Sequence, residues 1–350
     1  MKYIAVLMSF FITLFGMGCG QKPTAMQEVS GEKFIMDTLI QITVLCEDQD
    51  KGQKALEAAF GAFERIQSLT DRFQKNGQTT SASNDVVQIN ENAGIQPVPA
   101  SPDTINMLER SYYFAGLTGG AFDVTIGPVM DLWGFGKNEQ HVPADGEINK
   151  ALSLVDYKKV QVDRNPMTVF LTKPEMSLDL GGVAKGYATD EAVKALRGAD
   201  IQHAIINAGG NVYALGDKPD GSPWRVGVQD PRGDKGIIAI LFLKDKAAVT
   251  SGDYQRYFEQ DGVRYHHIID PSTGKQARDV MQTTVVADSA ADADILSTAL
   301  FVLGAQNGMR FVQELPAAGA VFIGADRQVS YTENLQDQLE FTGAGGYQIK

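Results

Sequence analysis

Apolar and polar residues alternate from Phe34 to Cys46, the period of a strand with one buried face. From Lys51 to Leu69 the spacing changes, and Leu56, Ala59, Phe60, Phe63 and Ile66 fall on one face of a helix. Phe73 to Asn90 is polar and turn-rich. A second helix is predicted over Ser101–Leu117, opened by a Ser101 cap with Pro102 in the first turn and ended by glycines. Pro128–Phe135 is apolar and carries Trp133, and Asp145–Leu152 reads as a short helix. Val160–Val162 and Thr168–Leu171 form a predicted hairpin, and Glu175–Leu180 a strand that runs into Gly181-Gly182. Val183–Leu196 is helical. Strands follow at His203–Ile206, Asn211–Leu215, Trp224–Val228, Ile237–Leu243, Ala247–Thr250 and Tyr265–Ile269. Asp288–Leu303 reads as a helix burying Ile295, Leu296, Ala299, Leu300 and Leu303, and Gly319–Ile323 and Gln328–Tyr331 as the closing strands.

Helices mixed with many strands joined by tight turns predict an α+β fold. The expected architecture is a single large domain with mixed, largely antiparallel sheets, packed helices and a binding cleft. No internal repeat and no linker rich enough to divide the chain is visible.

The first residues follow a different pattern. Lys2 is followed by an apolar run from Ile4 to Phe15, small residues and Cys19. This reads as a signal peptide over residues 1–18, too short for a comfortable membrane span. Cys19 after Gly16-Met17-Gly18 resembles a bacterial lipobox, although Gly16 stands where an aliphatic residue is usual. Lipidation of Cys19 would anchor the protein to a membrane, on the periplasmic side of a bacterial cell envelope; ordinary cleavage would release a soluble exported protein. Residues 19–32 read as a tether and 33–350 as the folded domain. Cys46, inside the apolar alternation, is the other cysteine; it has no partner and reads as a small core hydrophobe. Net charge is −12, from 43 acidic and 31 basic residues, which argues against a nucleic-acid partner.

Five segments concentrate glycine beside acids, histidines and hydroxyl residues: Thr118–Thr125, Asp179–Asp190, Asn207–Asn211, Thr250–Tyr254 with His266–Pro271, and Asp292–Leu300. Glycine pairs in ordered structure suggest a backbone that must approach something closely. Spread over the chain, the segments suggest one site assembled from distant parts. Asp294 and Thr298, four apart, offer a carboxylate and a hydroxyl on one helix face, hard donors that suit Mg²⁺. The plainer alternative is a surface acid beside a back-bonded Thr. The glycines before Lys185 could present backbone N–H groups to an anion, or form an ordinary turn, and neither a P-loop nor a GxGxxG spacing is present. His267 can accept a proton from a hydroxyl, whereas His266 reads as a satisfied strand histidine. Ser251 lacks the GxSxG setting of a hydrolase nucleophile.

Together the runs GGAFDVT, LWGFG, DLGGVAKGYATD, NAGGN, VQDP, TSGDYQRYF, HHIIDPSTG and DADILSTAL resemble, in order, those of the FAD:protein FMN transferases, the ApbE-type flavin transferases. The resemblance covers about Met36 to Gly304. It implies that FAD is the substrate and Mg²⁺ the cofactor. Met36, Phe73, Ala121, Phe122, Asp123, Asp179, Lys185 and Ile268 would line the flavin cleft. The Gly182 carbonyl, Asp294 and Thr298, with Ser297 adjacent, would hold the metal. The sequence departs from the family at Asp37 in place of Gly, Phe73 in place of a common Tyr, and Asn211 in place of a common Asp. The implied reaction moves FMN to a Thr or Ser of an exported or membrane-bound acceptor flavoprotein. His267 is the candidate proton acceptor, with Asp253 or Asp270 as orienting acids. An FAD pyrophosphatase and a non-catalytic FAD-binding lipoprotein are the alternatives.

Overall fold

A computed structural model describes residues 26–73, 84–136, 140–233 and 236–350. The leader and Cys19 lie outside the described residues.

Nine strands form the central sheet. In spatial order they are Gln27–Ile35, Thr38–Cys46, His203–Ala208, Asn211–Leu215, Lys246–Gly252, Val280–Ala287, Ala318–Gly324, Gln328–Tyr331 and Gln348–Ile349. Neighbours are antiparallel except the last pair, which is parallel. Seven α-helices occur among the described residues: α1 (Gln49–Thr70), α2 (Asp85–Glu91), α3 (Pro102–Leu117), α4 (Gly127–Leu132), α5 (Asp145–Leu152), α6 (Ala184–Gly198) and α7 (Ala290–Gln313). The predicted α+β class with largely antiparallel strands is the one observed.

Strand alternation divides the core into layers. Ala247 and Val249 pack with the helices, as do Val285, Ala287, Ala320 and Phe322. Ala248, Val286, Val321 and Ile323 face the other way, onto a three-stranded sheet built from Trp224–Gln229, Ile237–Leu243 and Leu339–Phe341. α1, α6 and α7 thus cover one face of the central sheet and a second sheet covers the other. A smaller cluster of Val129, Trp133, Phe135, Ile148 and Ile269 stands to one side, with the Trp133 Nε1–H donated to the Gly274 carbonyl at 2.8 Å.

The predicted face of α1 is buried as expected, and its Asp48 cap accepts from the Lys51 N–H. Ser101 caps α3 with Pro102 in its first turn. Cys46 is buried and unpaired. α7 is long and apolar enough to resemble a membrane span by composition, but it packs within the core. Its helical backbone breaks at Gly304 (φ 76°), which agrees with the predicted end at Leu303 and leaves Leu303 only half-buried.

Four expectations are corrected. The Phe34–Cys46 strand is a hairpin, turned at Met36 and Asp37, both at φ 56°. Asp is among the residues that tolerate this left-handed region, so the hairpin forms without the family's glycine. Part of the tether is structured, because the first strand begins at Gln27 and pairs through Cys46. Within the turn-rich stretch, Asp85–Glu91 is a helix capped by Asn84, a cap that the polar composition concealed. Glu175–Leu180 joins no sheet; a bridge from Ser177 to Ile126 and bonds from Asp179 N–H to Val124 and from Leu178 N–H to Asn90 hold it extended.

α6 and α7 meet at Gly186. A Cβ there would stand 2.2 Å from the Ala290 carbonyl oxygen and 2.7 Å from Asp294 Cβ. Asp190 of α6 caps α7, accepting from the Ala290 and Ala291 N–H groups at 2.7 and 3.0 Å. Gly186→Ala is therefore expected to destabilise by about 1–3 kcal/mol. Gly61→Ala, at an exposed α1 position with no atom near the added methyl, should stabilise by about 0.5–1 kcal/mol. Urea denaturation of the two variants checks the pair.

Candidate active site

The α6–α7 contact carries the chemistry. Asp294 is 5% exposed, and its Oδ2 accepts the Gly186 N–H at 2.9 Å. Desolvation holds its pKa above the usual carboxylate range, and the nearby Lys185 charge and the Gly186 N–H oppose that shift. One turn on, Ser297 and Thr298 project toward the Lys246–Gly252 strand. Ser251 Oγ lies 2.8 Å from Ser297 Oγ and 3.4 Å from Thr298 Oγ1. Gly182 closes the group: a Cβ at that position would lie 3.5 Å from Thr298 Oγ1 and 2.8 Å from the ring edge of Phe122. Gly182, Asp294, Ser297 and Thr298, proposed together from sequence, are thus brought together. Ser251 joins them as a hydroxyl that the sequence reading left unassigned.

The donors are hard oxygens with a single carboxylate. Among the described residues no group of three or more His, Cys, Asp or Glu side chains could form a metal centre. The set fits Mg²⁺, which accepts few protein ligands and completes its shell with phosphate and water. It does not fit a protein-only cage.

Lys185, on the first turn of α6, reaches the Gly181 carbonyl at 3.3 Å and has no carboxylate partner among the described residues. Its charge is also felt by His267. The His267 Nδ1 lies 3.2 Å from the Arg256 carbonyl, which fixes Nδ1 as the donor and leaves Nε2 to accept a proton. Burial, then the Arg256 charge, lower its pKa to about 3, so the imidazole is neutral. Phe135 meets the same ring edge-on at 6.4 Å.

Among the described residues no acid orients His267. The Asp253 carboxylate is clamped by Arg232 through two bonds of 2.7 and 2.6 Å. Asp270 closes its own turn, accepting from the Ser272 N–H and Oγ. The backbone carbonyl of Arg256 takes the role proposed for them. His266 is satisfied as expected: Nδ1 accepts the Ile268 N–H and Nε2 donates to the Ala277 carbonyl at 2.8 Å.

The predicted cleft residues divide. Phe122 and Lys185 border the site. Asp123 turns inward: its carboxylate is used by the Thr125 N–H and Oγ1 and by the Tyr157 N–H, so it shapes the loop that carries Ala121 and Phe122. Met36 packs beside the core and its N–H is held by Gln67, while Ile268 is buried. Asp179 binds its own loop at the Gly181 N–H and lies 3.7 Å from Arg72.

Arg72 was not visible from sequence. Its side chain is 8% exposed and donates to the Leu178 and Gly127 carbonyls at 3.2 and 3.4 Å. It also pairs with Asp131 and lies over the ring of Phe73, which itself packs against Gly136. One guanidinium thereby ties the end of α1, the helix α4 and the approach to Gly181-Gly182. No local motif announces this, because its hydrogen-bond partners lie more than fifty residues away.

Comparison with known proteins identifies similar chains. The ApbE family profile matches residues 36–322. The FAD:protein FMN transferase of Treponema pallidum is 33% identical over 350 residues, covering 95% of this chain and 94% of that protein. That of Klebsiella pneumoniae is 33% identical over 81% of this chain and 89% of its own length. Among solved structures, the ApbE protein of Thermotoga maritima superposes with TM-score 0.79 at 36% identity, over 89% of this chain and 99% of its own. The flavin transferase ApbE of Vibrio cholerae gives 0.75 at 27%, over 90% and 96%.

Two outcomes are expected from these contacts. Arg72→Ala removes the donor to the Leu178 and Gly127 carbonyls and should cost about 1–3 kcal/mol in urea unfolding. The pKa of His266 is lowered by burial to about 4, below the unfolded value of 6.5, so the unfolded chain binds the proton first on acidification. Native stability should fall between about pH 6.5 and 4, by roughly 3 kcal/mol from this residue. His266→Gln should remove about one proton from that pH slope.

Proposed function

The chain belongs to the ApbE family, and from that premise we propose that it is an FAD:protein FMN transferase dependent on Mg²⁺. The observation that carries the reading is the buried Asp294 carboxylate set against the Ser251, Ser297 and Thr298 hydroxyls at the Gly182 hinge, with Lys185 and a neutral His267 alongside.

In this reaction the hydroxyl oxygen of an acceptor Ser or Thr bonds to the FMN phosphorus of FAD. The bond from that phosphorus to the AMP phosphate breaks, AMP leaves, and FMN remains attached through a phosphoester. Asp294, Thr298 and the Gly182 carbonyl would hold the cation, with Ser251 steadying the Thr298 hydroxyl and itself held by Ser297. When bound, Mg²⁺ would screen the diphosphate and stabilise charge on the departing phosphate. Lys185 would contribute positive charge to the same phosphates. Phe73, backed on one face by Arg72, would stack on the flavin, and the buried Phe122 would support the Gly182 hinge beneath it. His267 takes the acceptor's proton at Nε2, and a diphosphate beside Arg256 and Lys185 would offset the two charges that depress its basicity.

The acceptors we propose are exported or membrane-bound flavoproteins. Export by the leader and anchorage through Cys19, both outside the described residues, would put enzyme and acceptor on the same side of the membrane.

Asp294→Asn keeps the shape and an acceptor for the Gly186 N–H but removes the charge. Transfer of FMN to a co-expressed acceptor, read as flavin fluorescence in a denaturing gel, should fall by about 100-fold or more with melting behaviour retained. Undiminished transfer would remove the cation assignment. AMP release without labelled acceptor in the native protein would instead favour hydrolysis.

A further inference from the structure

Asn211 is 1% exposed, and neither its side-chain Nδ2 nor its Oδ1 has a hydrogen-bond partner among the described residues. Leaving buried polar atoms unpaired costs about 1–3 kcal/mol per group, so such an amide calls for an explanation. Its placement is rigid. It follows the two-residue turn Gly209-Gly210 (φ 61° and 96°), and a Cβ on Gly209 would stand 2.1 Å from Thr38 Oγ1. It opens the Asn211–Leu215 strand, paired to Val249. Tyr213 and Leu215, two and four residues on, pack in the helix-side core, so Asn211 faces the same layer. There it stands beside Val249, two residues before Ser251, whose Oγ bonds Ser297 at the cation site.

We propose that Asn211 is a positioning residue of the cation site: Nδ2 steadies the Asp294 carboxylate, and Oδ1 accepts from a water in the cation's shell. An amide supplies both a donor and an acceptor, which this position requires. A hydrated hard cation offers water protons to such an acceptor, and groups behind the ligands commonly set its affinity. Asn211 contributes no charge, so one carboxylate alone draws the cation, and phosphate from the substrate completes the attraction. The inference rests on the Mg²⁺ reading above.

The test measures Mn²⁺ binding to the exported chain by the loss of free-ion EPR signal, with and without FAD, together with melting in EDTA. Native protein should bind Mn²⁺, and Asp294→Asn should not. Asn211→Ala should weaken binding about 10-fold, while melting in EDTA stays unchanged or rises, because two unpaired atoms are removed. Asn211→Asp, which adds a carboxylate, should tighten binding and increase the stabilisation by Mn²⁺. Native affinity in both Asn211 variants would overturn this proposal and leave the cation reading intact. Lower melting of Asn211→Ala at native affinity would show a structural role and also overturn it. Failure of native protein to bind Mn²⁺ under either condition would overturn both readings.

Discussion

A carboxylate withdrawn from water between two helices is the constraint on which the site depends. Asp294 can be buried because α6 presents a bare backbone: Gly186 allows the helices to approach until its N–H meets the carboxylate oxygen. The same approach is locked by Asp190, which satisfies the first N–H groups of α7. Desolvation disfavours the charge on Asp294, so the cation proposed for this place would gain much from a low-dielectric acid beside hydroxyls, at little cost in reorganisation. Binding and packing are therefore one problem here.

Around this contact the fold acts as a frame. The central sheet delivers Ser251 and Asn211 on its helix-facing side, because strand periodicity alternates them with residues facing the second sheet. Arg72 ties α4 to the extended segment at Leu178 and to the end of α1. The aromatic cluster around Trp133 and Phe135 supports the wall on which His267 stands. Polar groups that look catalytic in isolation are in part consumed by this framing. Asp123 and Asp253 have both carboxylate oxygens engaged by neighbours, and Asp270 spends one on its own turn, so all three hold loops.

The local chemistry of the chain determined a good deal by itself. The apolar spacing of α1, the Ser101-Pro102 start of α3 and the alternating strands were legible because each depends on contacts a few residues apart or on a simple inside–outside division. The Asp294–Thr298 spacing placed both groups on one helix face, and the ordered runs from GGAFDVT to DADILSTAL carried a resemblance to the flavin transferases. Tertiary structure decided the rest. Whether a carboxylate is spent on a neighbour or left free depends on partners distant in sequence: Arg232 for Asp253, Tyr157 for Asp123. The roles of Arg72, Ser251 and Asn211 arise the same way, from groups that meet only when helices and sheet close on each other. Such meetings follow from the free energy of the whole packed arrangement, which no local pattern encodes.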